Sequence, residues 1–227
     1  MEAFSFQEWD TEAFLELQKV KTQIVFIHRN RYVTLEDAIL ANVNSEETAR
    51  ASRFFHSKDR EVYLLGKYVL RKILAAQTGL APQKIIFSKT HTHKPFFEGQ
   101  EFNLSHSSDH IYLAFSPFEV GIDAEKNNLD FDLQPVVDAC FSEEESAMLS
   151  TAEEYRPHFY TIWTRKEALL KATGEGLCDD MKQVSAIPSQ VRRNGQLYFL
   201  ATRRHQDYIV SYATPHVDPE VIGWEFA

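Results

Sequence analysis

In the stretch "VGIDAEK", residues 120–126, two carboxylates stand two positions apart. Along a strand the side-chain period is two, so Asp123 and Glu125 point the same way, about 6.6 Å apart. At an effective dielectric of about 20, two charges at that separation repel by roughly 2.5 kcal/mol. Solvent, a basic side chain, a shared proton or a metal ion must offset that repulsion. A third acid lies in "RPHFYTIWTRKEALLKATG", residues 156–174, whose pattern is helical. There Glu167 and Lys171 sit at i and i+4 and share a face, with Trp163 one turn earlier and Lys166 beside Glu167. Alone, such a pair reads as an ordinary surface ion pair. Beside Asp123 and Glu125 it completes a set of three carboxylates for a hard cation such as Mg²⁺, which takes one or two carboxylates plus waters and phosphate oxygens. A lysine next to that set suits the charge of a phosphoryl group in transfer.

Two further stretches extend this chemistry. "NLSHS", residues 103–107, places Ser105 and His106 in what reads as a turn between strands, where hydroxyl, imidazole and backbone N–H groups can receive a phosphate. A Ser–His nucleophile is the competing reading, but it lacks an orienting acid; a simple serine turn is the bland one. In "HTHKP", His91 and His93 lack a third ligand nearby, which makes zinc a weak reading. Lys94 is held toward an extended backbone by Pro95, so it presents a directed positive charge.

Charge supports an anionic ligand bound locally. The net charge is −9. Residues 1–117 balance 14 Lys+Arg against 14 Asp+Glu, whereas 118–227 carry 10 against 19. Residues 50–94 alone hold 10 basic and 2 acidic side chains. An acidic protein with one basic stretch can attract an anion there without being a general nucleic-acid binder; the bland alternative is a solvated helix face rich in Lys and Arg. The two cysteines, Cys140 and Cys178, read as reduced thiols of a cytoplasmic protein. No apolar run approaches the ~18 residues of a membrane span, and Glu2 and Glu8 argue against an export signal.

The elements that must hold these residues read as α+β. Strands are expected at 22–30, on both sides of the polar turn within 101–116, at 120–125 and at 207–213, with a hairpin about Asn194-Gly195. Asn44 with Glu47, and Ser142 with Glu145, have capping-box spacing. Residues 59–79 read as a helix capped by Asp59 and ended by Gly79, with Val62, Leu65, Val69, Ile73 and Ala76 on its apolar face. In the helix of 156–174, Pro157 fits the first turn and Gly174 lies beyond the end. Each half carries helices and a mostly antiparallel sheet, with the join at "SPFEV", residues 116–120.

In this order, "RFFHSKDREVYLLGKYVLRKIL", "HKPFF", "FNLSHSSDHIYLAF", "VGIDAEK", "FSEEE" and "WTRKEALLKATGEGL" resemble the 4′-phosphopantetheinyl transferases of the surfactin-synthetase-activating type. The resemblance implies two similar α+β halves in a pseudo-twofold arrangement, here 1–117 and 118–227, with the active site between them. It implies transfer of phosphopantetheine from coenzyme A to a serine of an apo acyl or peptidyl carrier protein, with release of adenosine 3′,5′-bisphosphate. The cation implied is Mg²⁺, with Mn²⁺ as an alternative, held by Asp123, Glu125 and Glu167. Glu167 or a metal-bound water would take the serine proton, and Lys171 would contact coenzyme A near the reacting phosphate. Ser105, His106, Lys94 with Pro95, and Arg50 fall at the adenosine-phosphate end. Glu47 stands where relatives often have a basic residue, and Arg53 or Arg60 can replace that charge. Glu145 carries over weakly as a water- or metal-orienting group. A monomer is expected, because the site needs no second subunit. Two rivals remain at this point: a non-catalytic module binding coenzyme A or a carrier protein, and a Mg²⁺-dependent phosphodiesterase or nuclease.

Overall fold

A computed structural model describes residues 1–17, 19–89, 94–176, 180–216 and 221–226. His91, His93 and Cys178 therefore lie outside the described residues. The first half runs β1 (Gln7–Glu8), α1 (Thr11–Leu17), β2 (Gln23–His28), α2 (Arg31–Asn42), α3 (Ser45–Ala51) and α4 (Ser57–Thr78). It continues through β3 (Ser88–Lys89), β4 (Pro95–Phe96), β5 (Glu101–Ser107) and β6 (His110–Ser116). The second half runs β7 (Gly121–Lys126), α5 (Gln134–Cys140), α6 (Glu143–Ser150), α7 (Tyr155–Thr173), β8 (Gln190–Arg193), β9 (Gln196–His205) and β10 (Tyr208–Thr214). The last strand, β11 (Ile222–Glu225), returns to the first sheet.

Two main sheets result, ordered β1-β11-β2-β6-β5 and β7-β10-β9-β8, with a small β3-β4 ribbon. The first is mixed, since β11 runs parallel to both β1 and β2 while β2, β6 and β5 are antiparallel. The second is antiparallel throughout. This is the two-half α+β architecture expected.

The near-continuous apolar runs of β2 and β6 follow from burial on both faces. Val25, Ile27, Ile111, Leu113 and Phe115 join the core beneath α4, which supplies Val62, Leu65, Val69 and Ile73. The alternate residues Ile24, Phe26, Tyr112 and Ala114 face the other way and pack on Ile122, Ala124, Val210 and Tyr212 of the second sheet. The period of two thus divides one strand between a helix layer and the seam joining the halves.

Local signals are realised with two adjustments. Both capping boxes form, Asn44 with Glu47 and Ser142 with Glu145. Gly79 and Gly174 end α4 and α7 in the left-handed conformation, and Asn194-Gly195 turns the β8–β9 hairpin with φ of 51° and 80°. However, α4 starts at Ser57 with His56 as its N-cap, so Asp59 sits inside the first turn rather than capping it. Ala76 is exposed, because the helix end extends past the core. Among the described residues, no helix is long and apolar enough to cross a membrane.

Candidate active site

The seam between the sheets is closed by side chains in place of backbone pairing. From β5, Asn103 Oδ1 accepts from the Ile122 amide at 2.9 Å, Ser105 Oγ from the Ala124 amide at 3.2 Å, and Ser107 Oγ from the Lys126 amide at 3.1 Å. Alternate residues of one strand thus meet alternate amides of β7. This comb holds the edge of one sheet against the other and fixes how Asp123 and Glu125 face the first half. The serines also donate: Ser105 Oγ to Asp123 Oδ1 and Ser107 Oγ to Glu125 Oε2, each at 2.9 Å.

Helix α7 lies across β7 and β10. A glycine at 121 permits this, because a Cβ there would stand 2.0 Å from the Ala168 carbonyl oxygen and 2.3 Å from the Ala172 nitrogen. The Ser211 hydroxyl of β10 meets Thr164 of the helix at 2.7 Å and Thr202 of β9 at 2.8 Å, tying the helix to the second sheet beside β7. Glu167 and Lys171 are thereby brought to the acids of β7. Lys171 Nζ donates to Asp123 Oδ1 at 2.6 Å and to Ser105 Oγ at 3.2 Å. Ser105, His106, Asp123, Glu125, Glu167 and Lys171 line one cavity of about 350 Å³, with Trp163 and Leu104 on its wall. Glu125 and Trp163 also border a second cavity of about 830 Å³, whose apolar lining includes Leu129, Phe131, Val136 and Phe159.

Electrostatically the cleft is short of positive charge. Burial and then the neighbouring Asp123 push the Glu125 carboxyl up to about 7. The same two causes, in the same order, raise Glu167, and Lys171 opposes them. Asp123 Oδ2 and Glu167 Oε1 are buried with no hydrogen-bond partner. Buried carboxylate oxygens without donors are costly unless a cation compensates them. Among the described residues, no group of three or more His, Cys, Asp or Glu side chains is already gathered tightly enough to hold a metal ion. The donor chemistry nonetheless fits a hard cation: oxygen ligands from three acids, two of them with an unsatisfied oxygen.

Several expected site residues stand elsewhere or do other work. Ser105 and His106 lie in β5, not in a turn, because the polar turn is confined to Ser108 and Asp109, with Ser108 at φ 52°. The Ser105 hydroxyl donates to Asp123 Oδ1 and accepts from Lys171 Nζ. His106 is exposed as a residue, and partial desolvation followed by the Lys171 charge lowers its pKa. Lys94 Nζ lies 3.3 Å from the carbonyls of Val120 and Ala172, at the end of α7, and desolvation lowers its pKa. Pro95 is in the β3–β4 ribbon, paired with Lys89. Arg50 and Arg53 are exposed around the end of α3, Arg50 lying 5.3 Å over the Tyr63 ring. None of these four lines the 350 Å³ cavity.

Glu145 does not join the acids. It forms a fully buried pair with Lys166 at 2.8 Å and accepts from the Ala186 amide. Glu47 likewise has a structural partner, the buried Arg71 at 2.7 Å, which accounts for an acid where a cation was expected. Three site residues escaped the sequence reading: Asn103, Ser107 and Gly121. The signal for Ser107 was present, since it follows Ser105 by two positions as Glu125 follows Asp123.

A two-half α+β fold with acids and a lysine converging at its seam defines the class, and comparison with known proteins identifies it. Residues 119–217 match the 4′-phosphopantetheinyl transferase superfamily, and residues 34–118 match the N-terminal part of 4′-phosphopantetheinyl transferases. A 4′-phosphopantetheinyl transferase of Bacillus subtilis is 30% identical over 161 residues, 67% of this chain and 70% of the relative. The transferase Sfp of Bacillus subtilis is 28% identical over 205 residues, covering 87% and 88% of the two chains. The transferase HetI of a Nostoc species is 33% identical over 148 residues, 61% of this chain and 62% of its own length. The chain belongs to the 4′-phosphopantetheinyl transferase superfamily.

Proposed function

We propose that this protein transfers the 4′-phosphopantetheine group of coenzyme A to a serine hydroxyl of an apo acyl or peptidyl carrier protein, releasing adenosine 3′,5′-bisphosphate. The observation that carries the reading is the cleft itself: Asp123, Glu125, Glu167 and Lys171 share it, and two buried carboxylate oxygens there lack partners. One lysine faces three acids, so a cation is the natural complement. Asp123, Glu125 and Glu167 would hold Mg²⁺, or Mn²⁺ in its place. When bound, that ion supplies positive charge to the phosphoryl oxygens.

The residues of the chain then have distinct tasks. A bond forms between the carrier serine oxygen and the β-phosphorus of coenzyme A. The bond from that phosphorus to its bridging oxygen breaks, and this oxygen leaves with adenosine bisphosphate. Glu167 accepts the serine proton; a carboxyl raised by burial is a better base at neutral pH than an exposed one. Lys171, 2.6 Å from Asp123, sets a fixed positive charge beside the phosphoryl group. Positioning and electrostatics supply most of the acceleration.

We assign residues 1–117 to the adenosine-phosphate end and 118–227 to the acids. Arg50, Arg53 and Lys94 belong to the first task on the strength of the basic stretch at 50–94, and Pro95, Ser105 and His106 are assigned with them on the resemblance of "HKPFF" and "NLSHS" to the family's stretches. On this reading the protein acts as a monomer, since one chain supplies both walls of the cleft, and works in the cytoplasm without nucleic acid or membrane, as its acidic charge and its two cysteines, which read as unpaired in sequence, suggest. The test is intact-mass spectrometry of an apo carrier protein incubated with this protein, coenzyme A and Mg²⁺. The carrier gains the mass of one phosphopantetheine arm, and EDTA abolishes the gain. No gain across fatty-acid, polyketide and peptide carriers, with coenzyme A still bound, would instead establish the binding-module reading.

A further inference from the structure

We propose that Ser107 is the positioning residue for Glu125, fixing which carboxylate oxygen that acid turns toward the cleft. The inference rests on the reading that Asp123, Glu125 and Glu167 hold a divalent cation. Its basis is a construction that occurs twice, displaced by two residues. Ser105 accepts from the Ala124 amide and donates to Asp123, and Ser107 accepts from the Lys126 amide and donates to Glu125. In each case the amide that orients the hydroxyl belongs to the residue following the acid. The hydroxyl hydrogen is thereby directed to one carboxylate oxygen, and the other is left for a ligand. For Glu125 the occupied oxygen is Oε2.

The first half holds this hydroxyl in place. Ser107 is the last residue of β5, opposite His110 on β6, and the Ser108–Asp109 turn follows it. Lys58 of α4 reaches that turn, donating to Ser108 Oγ at 3.1 Å and to Asp109 at 3.3 Å. Arg29, just after β2, holds Asp109 at 2.5 Å and Glu61 of α4 at the same distance. Asp109 is correspondingly kept below the usual carboxylate range, first by its Arg29 hydrogen bond. The turn is thus clamped by two cations onto the helix layer, and Ser107 carries that fixed position across the seam to Glu125. A hydroxyl serving only the fold would need the Lys126 amide alone. The second bond, at 2.9 Å to Glu125 on the wall of the cleft, gives it a part in the site.

The test measures cation binding directly. The full-length protein with coenzyme A, without carrier protein, is titrated with Mn²⁺ and the free ion is read by electron paramagnetic resonance. Loss of an outer partner of a ligand weakens metal affinity by about 10- to 100-fold, and Ser107→Ala is expected to do so. Ser107→Thr, which restores the hydroxyl, is expected to bind Mn²⁺ close to wild type. If Ser107→Ala does not fold, Ser107→Cys takes its place with the same expectation, since a thiol donates only weakly. Unchanged Mn²⁺ affinity in the folded Ala or Cys variant, with wild-type binding present, overturns the positioning role alone. Absence of Mn²⁺ binding by the wild type, beyond that of coenzyme A itself, overturns the cation reading and this proposal with it.

Discussion

Glu145 offers the sharpest separation between framework and chemistry. Its side chain and that of Lys166 are 1% and 0% exposed, and the pair is 2.8 Å apart. Lys166 Nζ also donates to the carbonyls of Met181 at 2.8 Å and Val184 at 2.5 Å. Glu145 accepts from the Ser142 amide at 2.8 Å and the Ala186 amide at 3.1 Å. One ion pair therefore ties α6 and α7 to the segment at 181–186. Glu145→Ala leaves a buried ammonium with two carbonyls and no counter-ion, and removing one partner of such a pair costs about 3–5 kcal/mol. That is a large share of a typical stability of ~5–15 kcal/mol. At about 2–4 °C per kcal/mol for a chain of this size, Tm falls by roughly 6–20 °C. Glu145→Gln keeps one oxygen, enough for the Ser142 or the Ala186 amide but not both, and loses the charge; a hydrogen bond to a charged group contributes about 1.5–3 kcal/mol, so its cost approaches that of Glu145→Ala. Urea denaturation followed by circular dichroism measures the loss. The transfer rate, read where both variants are folded, should stay near wild type. A Glu145→Gln variant with an unchanged urea midpoint and a collapsed transfer rate would refute the assignment and return Glu145 to the active site.

Two more consequences follow from the packing of the seam. His110 and His205 share the Tyr112 hydroxyl, at 3.2 and 2.8 Å, and burial lowers each to about 4, with His205 and His28 adding to the effect on His110. The folded state thus prefers neutral imidazoles, while the unfolded chain protonates near 6.5; this stability is complete above about pH 6.5 and is lost as pH falls toward 4, by up to ~3 kcal/mol for each ring. Urea midpoints between pH 8 and pH 4.5 should show the decline, His110→Phe should roughly halve it by leaving His205 alone, and an equally steep decline in that variant contradicts the account. Gly121→Ala places a Cβ against the backbone of α7, including the Lys171 carbonyl carbon at 2.9 Å. The helix carrying Glu167 and Lys171 must move, so the expected outcome is about 1–3 kcal/mol of destabilisation and a loss of transfer near 10²-fold. Wild-type stability and rate together would show that the close approach is dispensable.

What could be read from the residues was local, and what could not was tertiary. The helical pattern of α4 and α7, both capping boxes and the Asn194-Gly195 turn depend on neighbours in sequence and are realised, with Val62, Leu65, Val69 and Ile73 buried on α4 as expected and only Ala76 of that set exposed. The meeting of Glu167 and Lys171 with Asp123 depended on how a helix lies on a strand, which spacing alone cannot state. The polar run "SHSSD" suggested a longer turn than exists, because Ser105 and Ser107 are polar for the sake of the β7 amides rather than solvent. Lys166 and Arg71 look like surface residues until their partners Glu145 and Glu47 arrive from other helices. The parallel pairing of β11 with β2 joins residues about 200 positions apart and leaves no short-range trace.

The central claim is that Asp123, a cleft residue that pairs with Lys171 and keeps one buried oxygen without a partner, is indispensable to transfer rather than to folding. The most direct measurement is intact-mass spectrometry of the apo carrier protein after incubation with the Asp123→Ala variant, alongside circular dichroism of that variant. The account predicts a native fold and a carrier of unchanged mass. A carrier modified at the wild-type rate by a folded Asp123→Ala protein would contradict it.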